Sequence, residues 1–544
     1  MPPKLVLGPL LRYVGETEAT LWVETDSPCE VEVLGATERT FQVEGHHYGL
    51  VKPQGLEPGA WHEYEVRLDG ELAWPEPDSP FPRSRFRTYP KDDPTEVLFG
   101  SCRVTAPHHP PYTLTQDEDP RGFETDALYA LAREILDNGR DLPDLLLMLG
   151  DQMYADEVSP ATEVFLESRR NPDDRPGDQV YDFEEYTHLY REAWGEPTIR
   201  WLLSTVSTAM VFDDHDIHDD WNISAAWLED ARATGWWEEH IVAGLASYWI
   251  YQHLGNLPPD EHSEDELLER VRQADDAWPL LAEFAAQADR DTSGSCWSYC
   301  RDVGSTRLIV IDSRAGRVLD EGGRSMVDAG EWDFIEEHAQ GGFDHLLIAT
   351  SLPFLLAPAM HNAEAWSEAV CAGAWGPVAA RLGEKLRRSV DLEHWAAFGT
   401  SFEALAELQR SVAAGERGEP PATVVTLSGD VHHSYLFEAR FPPDAGVRSA
   451  IWQATCSPFR NPLSKKERRQ VKLASTRPAE WITRALARAA GVPEPPLSWT
   501  NAADGAVFDN ILGGLRIDGR RLDLRIEKAL PSQRLEPVLE RRLA

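Results

Sequence analysis

Apolar and polar positions alternate with a period of two through the first part of the chain. ATLWVETD, EVEVLG, TFQVEG and HEYEVRLDG read as short strands, separated by the turn-forming groups DSP and LEPG. Strands of this length and spacing predict an all-β sandwich of immunoglobulin or fibronectin type over residues 1–90. The stretch AWPEPDSPFPRSRFRTYPKDDP, rich in proline and charge, predicts a linker or a strapped connection.

The pattern then changes. TEVLFGSC, DLLLMLGDQMY, TAMVFDDHD, TRLIVIDSR, DHLLIATSLP and ATVVTLSGDVHH are continuous apolar runs. FETDALYALAREILD has helical spacing, with Thr125 as the predicted N-cap. Continuous apolar strands alternating with helices predict an α/β fold over residues 91–544, its sheets covered on both faces. Residues 223–290 predict an acidic helical insertion around WWEEHIVAGLASYWIYQHL. Residues 503–530 predict a return to strands about a DG turn.

Charge narrows the chemistry. The 544 residues include 92 acidic and 52 basic side chains, a formal net charge of -40. Such a field repels nucleic acid and anionic membranes, and no nucleic-acid-binding patch is evident. Action on a phosphate would need multivalent cations to reverse the sign locally. Six cysteines are too few for a disulfide framework, and Cys296 and Cys300, spaced C-x3-C with no second pair nearby, read as buried thiols near a strand rather than a structural zinc site. No stretch approaches the ~20 apolar residues of a membrane span. No signal peptide is visible, which predicts a cytoplasmic protein, with export not excluded. The pattern says nothing of the oligomeric state.

Ligands of α/β sheets bind beyond the strand ends. Four ends carry reactive groups: Gly100–Cys102, Gly150–Tyr154, Phe212–Asp216 and Gly429–His433. Gly150 allows a sharp turn that projects Asp151, whose two oxygens suit two cations; the plain alternative is a helix-capping Asp. Between Asp213 and Asp220 lie five Asp and two His. Packed carboxylates repel, and cations relieve the cost; the alternative is a solvated acidic loop. His215 suits a general acid or a ligand. Asp430 and His432 are two apart, and in an extended segment would point the same way. Cys102 reads equally as a core thiol or a ligand.

Taken in order, GSC, GDQMY, DDHD and GDVH resemble the calcineurin-like metallophosphoesterases, and more closely their alkaline phosphatase D (PhoD-like) branch. The resemblance implies a four-layer α/β/β/α sandwich holding a dinuclear metal centre. It implies Cys102 as a thiolate ligand, Asp151 as the bridging carboxylate and Tyr154 as a phenolate ligand. It also implies Asp214 as a ligand where the family has Asn, with Asp430 serving the second metal and His432 the first. His215 would be the acid beside the leaving oxygen, with Asp213, Asp216 and His433 supporting these groups. The family's separate histidine strand is not evident, since Ser351 stands in the expected place. Thiolate, phenolate and imidazole suit Fe³⁺, and an oxygen-rich second site suits Ca²⁺, with Mn²⁺ and Zn²⁺ as alternatives. The activity implied is hydrolysis of a phosphoester substrate by a metal-activated hydroxide. Arg103 is expected to bind a phosphate oxygen, and Arg314 to be structural. Competing readings are a phospholipase D-like phosphodiesterase on the same site and a non-catalytic calcium-binding protein.

Overall fold

The computed structural model describes residues 2–89, 93–503 and 505–544. The expected boundary at 90/91 lies outside the described residues. The strand Leu145–Leu149, LLLML, has no polar position, and its surroundings give the reason. It runs between two parallel neighbours, Thr95–Gly100 and Thr208–Val211. Successive side chains of a strand point to opposite faces. Leu145, Leu147 and Leu149 face a second sheet, whereas Leu146 and Met148 face helices. Both faces are buried, so both must be apolar.

The second sheet divides its residues the same way. Val425 and Leu427 of Thr423–Ser428 point inward, and Val424 points outward to helices. Two stacked sheets with helices outside them make the four-layer α/β/β/α sandwich. The first sheet has six strands, in the order Thr208–Val211, Leu145–Leu149, Thr95–Gly100, Ile511–Asp518, Arg521–Ala529 and Leu535–Arg542. The second has seven, with Thr306–Ile311, His345–Thr350, Thr423–Ser428 and Ala450–Thr455 parallel at its centre. The strand Leu535–Arg542 was not predicted. It is a mostly exposed edge rich in charge, so it carries no apolar signal.

At the amino-terminal end two four-stranded antiparallel sheets form from residues between Leu5 and Trp74. The stretch predicted as a linker contains one more strand, Arg85–Arg87, paired with Trp61–Glu63 around the buried Phe86. The helix Ala127–Asn138 is capped by Asp126, not by Thr125. The Asp126 carboxylate accepts from the Leu128 and Tyr129 amides and also pairs with Arg103. That tertiary partner decides the cap.

Helices occupy most of residues 225–290. Helix Trp237–Tyr248 continues through a π-turn at Trp249–His253 to Asn256. Tyr251 stacks on Tyr190 at 4.0 Å and meets Trp22 of the amino-terminal sheet at 5.1 Å. Arg12 donates to the Tyr251 and Gln252 carbonyls at 2.5 and 2.8 Å. Arg301 donates to those of Gly255 and Asn256 at 2.7 and 2.8 Å. Two buried guanidinium groups thus satisfy carbonyls that the helix end leaves unpaired. No helix among the described residues is long and apolar enough to cross a membrane.

Candidate metal centre

Parallel strands of both sheets end along one edge, and the reactive side chains meet there. The turns after them are tied together through the backbone. Cys102 donates its amide to the Gly150 carbonyl (3.1 Å), and Gly429 donates to Ser351 (2.8 Å). The Asp430 amide donates to Ser101 Oγ (3.0 Å), which links the two sheets. A side chain at Gly150 would meet Asp213 Cβ at 2.5 Å, and φ there is +100°. Only glycine fits such an approach.

Cys102, Asp151, Asp430 and His432 have φ of 56°, 51°, 65° and 50°. This left-handed region is unfavourable for residues with a Cβ, and it concentrates at functional sites. It also corrects an expectation. Residues 430–432 are not extended, because the His432 amide folds back onto the Asp430 carbonyl at 2.8 Å. The two side chains therefore diverge: His432 joins Cys102 and Asp151, whereas Asp430 turns to His394.

Two groups of ligand atoms share Asp151. In one, atoms of Cys102, Asp151 and His432 lie within 4.8 Å of one another. In the other, atoms of Asp151, Asp213 and Asp214 do so. Asp213, expected only to support, thus offers an oxygen to the second group. A third group, Asp214, His215 and Asp219, adjoins them. The Tyr154 hydroxyl lies within electrostatic reach of Asp151 and Cys102 and accepts from Asn461 Nδ2 at 2.9 Å.

The donor set fits cations on a direct test. Asp151 Oδ1, Asp213 Oδ2 and Asp214 Oδ1 are buried and accept no hydrogen bond. The charge of Arg314 Nη2 stands 3.2 Å from Asp214 Oδ1, without hydrogen-bond geometry. Burial, with Asp213 and Asp214 adding to it, raises the Asp151 carboxyl well above the carboxylate range. Burial also pushes Asp213 up to about 8 and Asp216 up to about 7. The Cys102 thiol is raised by burial and by the charges of Asp151 and Asp430. Protons would fill these groups in the absence of cations, and bound cations would take their place. Two contacts favour a Cys102 thiolate: Ser101 Oγ lies 3.0 Å from its sulfur, and the Ser457 hydroxyl donates to it at 3.3 Å. Burial lowers His432 to about 4, which leaves a neutral imidazole.

Asp216 does not face the cluster. Its carboxylate accepts the amides of Asp213, Asp151 and Gln152 at 2.9, 2.9 and 3.2 Å, so it holds two strand ends in register. His433 turns away and stacks on Phe508 at 5.8 Å.

Arg103 corrects another expectation. Its guanidinium is buried, with Nε on Asp126 (2.9 Å) and Nη1 on the Ala193 carbonyl (2.8 Å), so it is committed to the core. The arginine at the carboxylates is Arg314. It bonds Asp213 through Nε and Glu393 through both terminal nitrogens, at 2.5 and 2.7 Å.

Three further residues escaped the sequence reading. His394 Nε2 bonds Asp430 Oδ2 at 2.9 Å, and its Nδ1 bonds Glu364 at 2.6 Å. With burial opposing, the His394 hydrogen bond and charge bring Asp430 down to about 2. Asp156 accepts from His215 Nδ1 at 2.9 Å. Burial disfavours charge on His215, but Asp156 and Asp214 outweigh it and raise the imidazolium well above its ordinary range. The acid-rich run from Asp391 to His394 and the Asp two residues beyond Tyr154 were the available signals.

The fold is that of the calcineurin-like metallophosphoesterases, and the site lies at its strand ends. Residues 121–274 match the family described as PhoD-like phosphatase, which bears out the resemblance. That match spans Asp151, Tyr154 and Asp213–Asp216; Cys102, Asp430 and His432 lie outside it. Residues 2–86 match a domain of unknown function, DUF7800. A solved structure of PhoD is similar at a TM-score of 0.60 and 12% identity, over 99% of this chain and 92% of that one. Purple acid phosphatase PPD1 from yellow lupin (Lupinus luteus) seeds is similar at 0.50 and 10% identity, over 98% and 73%. No protein with a curated description matches the sequence.

Because both groups share Asp151, Asp151→Ala should lower cation content from about two per chain to below about one. Elemental analysis of the purified protein measures this. Retention of two cations would contradict a shared carboxylate.

Proposed function

We propose that this chain hydrolyses phosphate esters at a pair of cations. Cys102, Asp151, Tyr154 and His432 would hold one, and Asp151, Asp213, Asp214 and Asp430 the other. The observation that carries the reading is the set of buried carboxylate oxygens without donors, with His215 beside them. The first donor set, with sulfur, phenol and imidazole, suits Fe³⁺. The second, all oxygen, suits Ca²⁺.

When bound, such a pair supplies positive charge to the phosphoryl oxygens and acidifies a water molecule. The chain's own residues do the rest. Asp156 holds His215 at Nδ1, which leaves Nε2 to carry a proton to the leaving oxygen. The Tyr154 ring, 4.6 Å from the imidazole, limits its rotation. Glu364 and His394 hold Asp430, and Glu393 with Arg314 holds Asp213 and Asp214. Arg314 spends its donors on these carboxylates, so it positions ligands and does not grip the substrate.

His215→Ala should cost about 10²- to 10⁴-fold in kcat on alkyl phosphates. On p-nitrophenyl phosphate, whose leaving group needs no proton, it should cost less than about tenfold. Equal losses on both would remove the acid role. Asp156→Asn deletes a carboxylate that favours the imidazolium, so His215 loses its proton at lower pH. The alkaline limb of kcat should move to lower pH, and an unmoved limb in the pH–rate profile would contradict the pairing.

A further inference from the structure

Fourteen large apolar side chains stand exposed among the described residues, and nine of them fall within 375–390 and 473–486. Helix Arg477–Ala489 lies on helix Pro358–Cys371 and buries Ala487, while Trp481 and Ile482 are 75% and 55% exposed. Helix Pro377–Ser389 exposes Val378 (71%) and Leu382 (63%), one turn apart. Trp375 joins the two helices, its indole N–H donating to the Ala489 carbonyl at 3.2 Å. Core packing turns apolar stripes inward; here they face water.

The same helices are basic. Residues 464–489 hold eight Lys or Arg against two Glu, and residues 377–389 hold four against one. Of these, Arg387 is buried on Glu321 and Glu384, Arg388 pairs with Asp230, and Arg484 and Arg488 pair with Glu494. Arg381, Lys385, Lys466, Arg469 and Arg477 have no carboxylate partner among the described residues. We propose that this face docks on an anionic phospholipid surface, with Trp481, Ile482, Val378 and Leu382 entering the headgroup region. Basic side chains around exposed aromatic and aliphatic ones are what such a surface takes up.

A symmetric pairing of two copies would set one basic face against the other. Nucleic acid would engage the cations and leave the apolar side chains uncovered. The net charge of -40 suggests repulsion from anionic membranes, but its distribution overrides that. Screening over about 8 Å at physiological salt makes the local patch decisive. Helix Lys465–Ala474 begins four residues after Asn461, which bonds Tyr154, so this basic helix starts beside the metal centre. The inference does not rest on the hydrolytic reading.

Co-sedimentation of the full chain with vesicles tests it. Binding is expected to vesicles of phosphatidylglycerol mixed with phosphatidylcholine, and not to phosphatidylcholine alone. The double variant Trp481→Glu/Ile482→Glu should lower the partition coefficient by at least about tenfold. Its thermal midpoint and p-nitrophenyl phosphate hydrolysis should not change. Val378→Glu/Leu382→Glu provides the same test should the first pair fail to fold. Absence of vesicle binding, or equal binding by a folded variant, overturns the proposal. So does a dimer that the variant converts to monomer, or duplex-DNA binding that the variant abolishes.

Discussion

Three carboxylates, Asp151, Asp213 and Asp214, are buried with ligand oxygens within 4.8 Å of one another, and the site is organised around that fact. Two like charges at about 5 Å repel by roughly 3–4 kcal/mol at an effective dielectric near 20. Protons or cations must relieve this. The surroundings relieve only part of it, because the Arg314 guanidinium and the His215 imidazolium that face the group divide their charge with Glu393 and Asp156. Asp430 adds a further negative charge, itself balanced by His394. The cluster is therefore a site short of positive charge, which a pair of cations would supply.

Holding such a cluster requires a stiff frame. Both sheets contribute strand ends, and a layer of apolar side chains between them fixes their spacing. Four of the expected ligands lie in left-handed backbone, a cost the surrounding hydrogen bonds offset. Asp216 spends its carboxylate on three amides rather than on a cation. The π-turn at Trp249–His253 brings Gln252 to the same carboxylate at 3.4 Å, so the helical stretch also supports the strand ends.

Much of this was legible in the sequence because strand ends have a local signature. An apolar run closed by Gly-Asp, or by several acids, marks a buried strand that delivers charge to its tip, and Asp151, Asp214 and Asp430 all follow such runs. Other features were set by contacts far away in the chain. The direction of Arg103 depends on Asp126 and on the Ala193 carbonyl, neither of which its neighbours announce. The tight turn at Asp430–His432 depends on Ser101 and Ser457. His394 comes from a loop before the short helix Trp395–Ala397, not from a strand end, so a reading tuned to strand ends passes over it.

Anomalous X-ray diffraction from crystals of the purified protein tests the central claim most directly. Two scattering peaks are expected, one among Cys102, Asp151 and His432 and one among Asp151, Asp213 and Asp214. A crystal showing these carboxylates bonded to one another through protons, with no peak between them, would contradict the account.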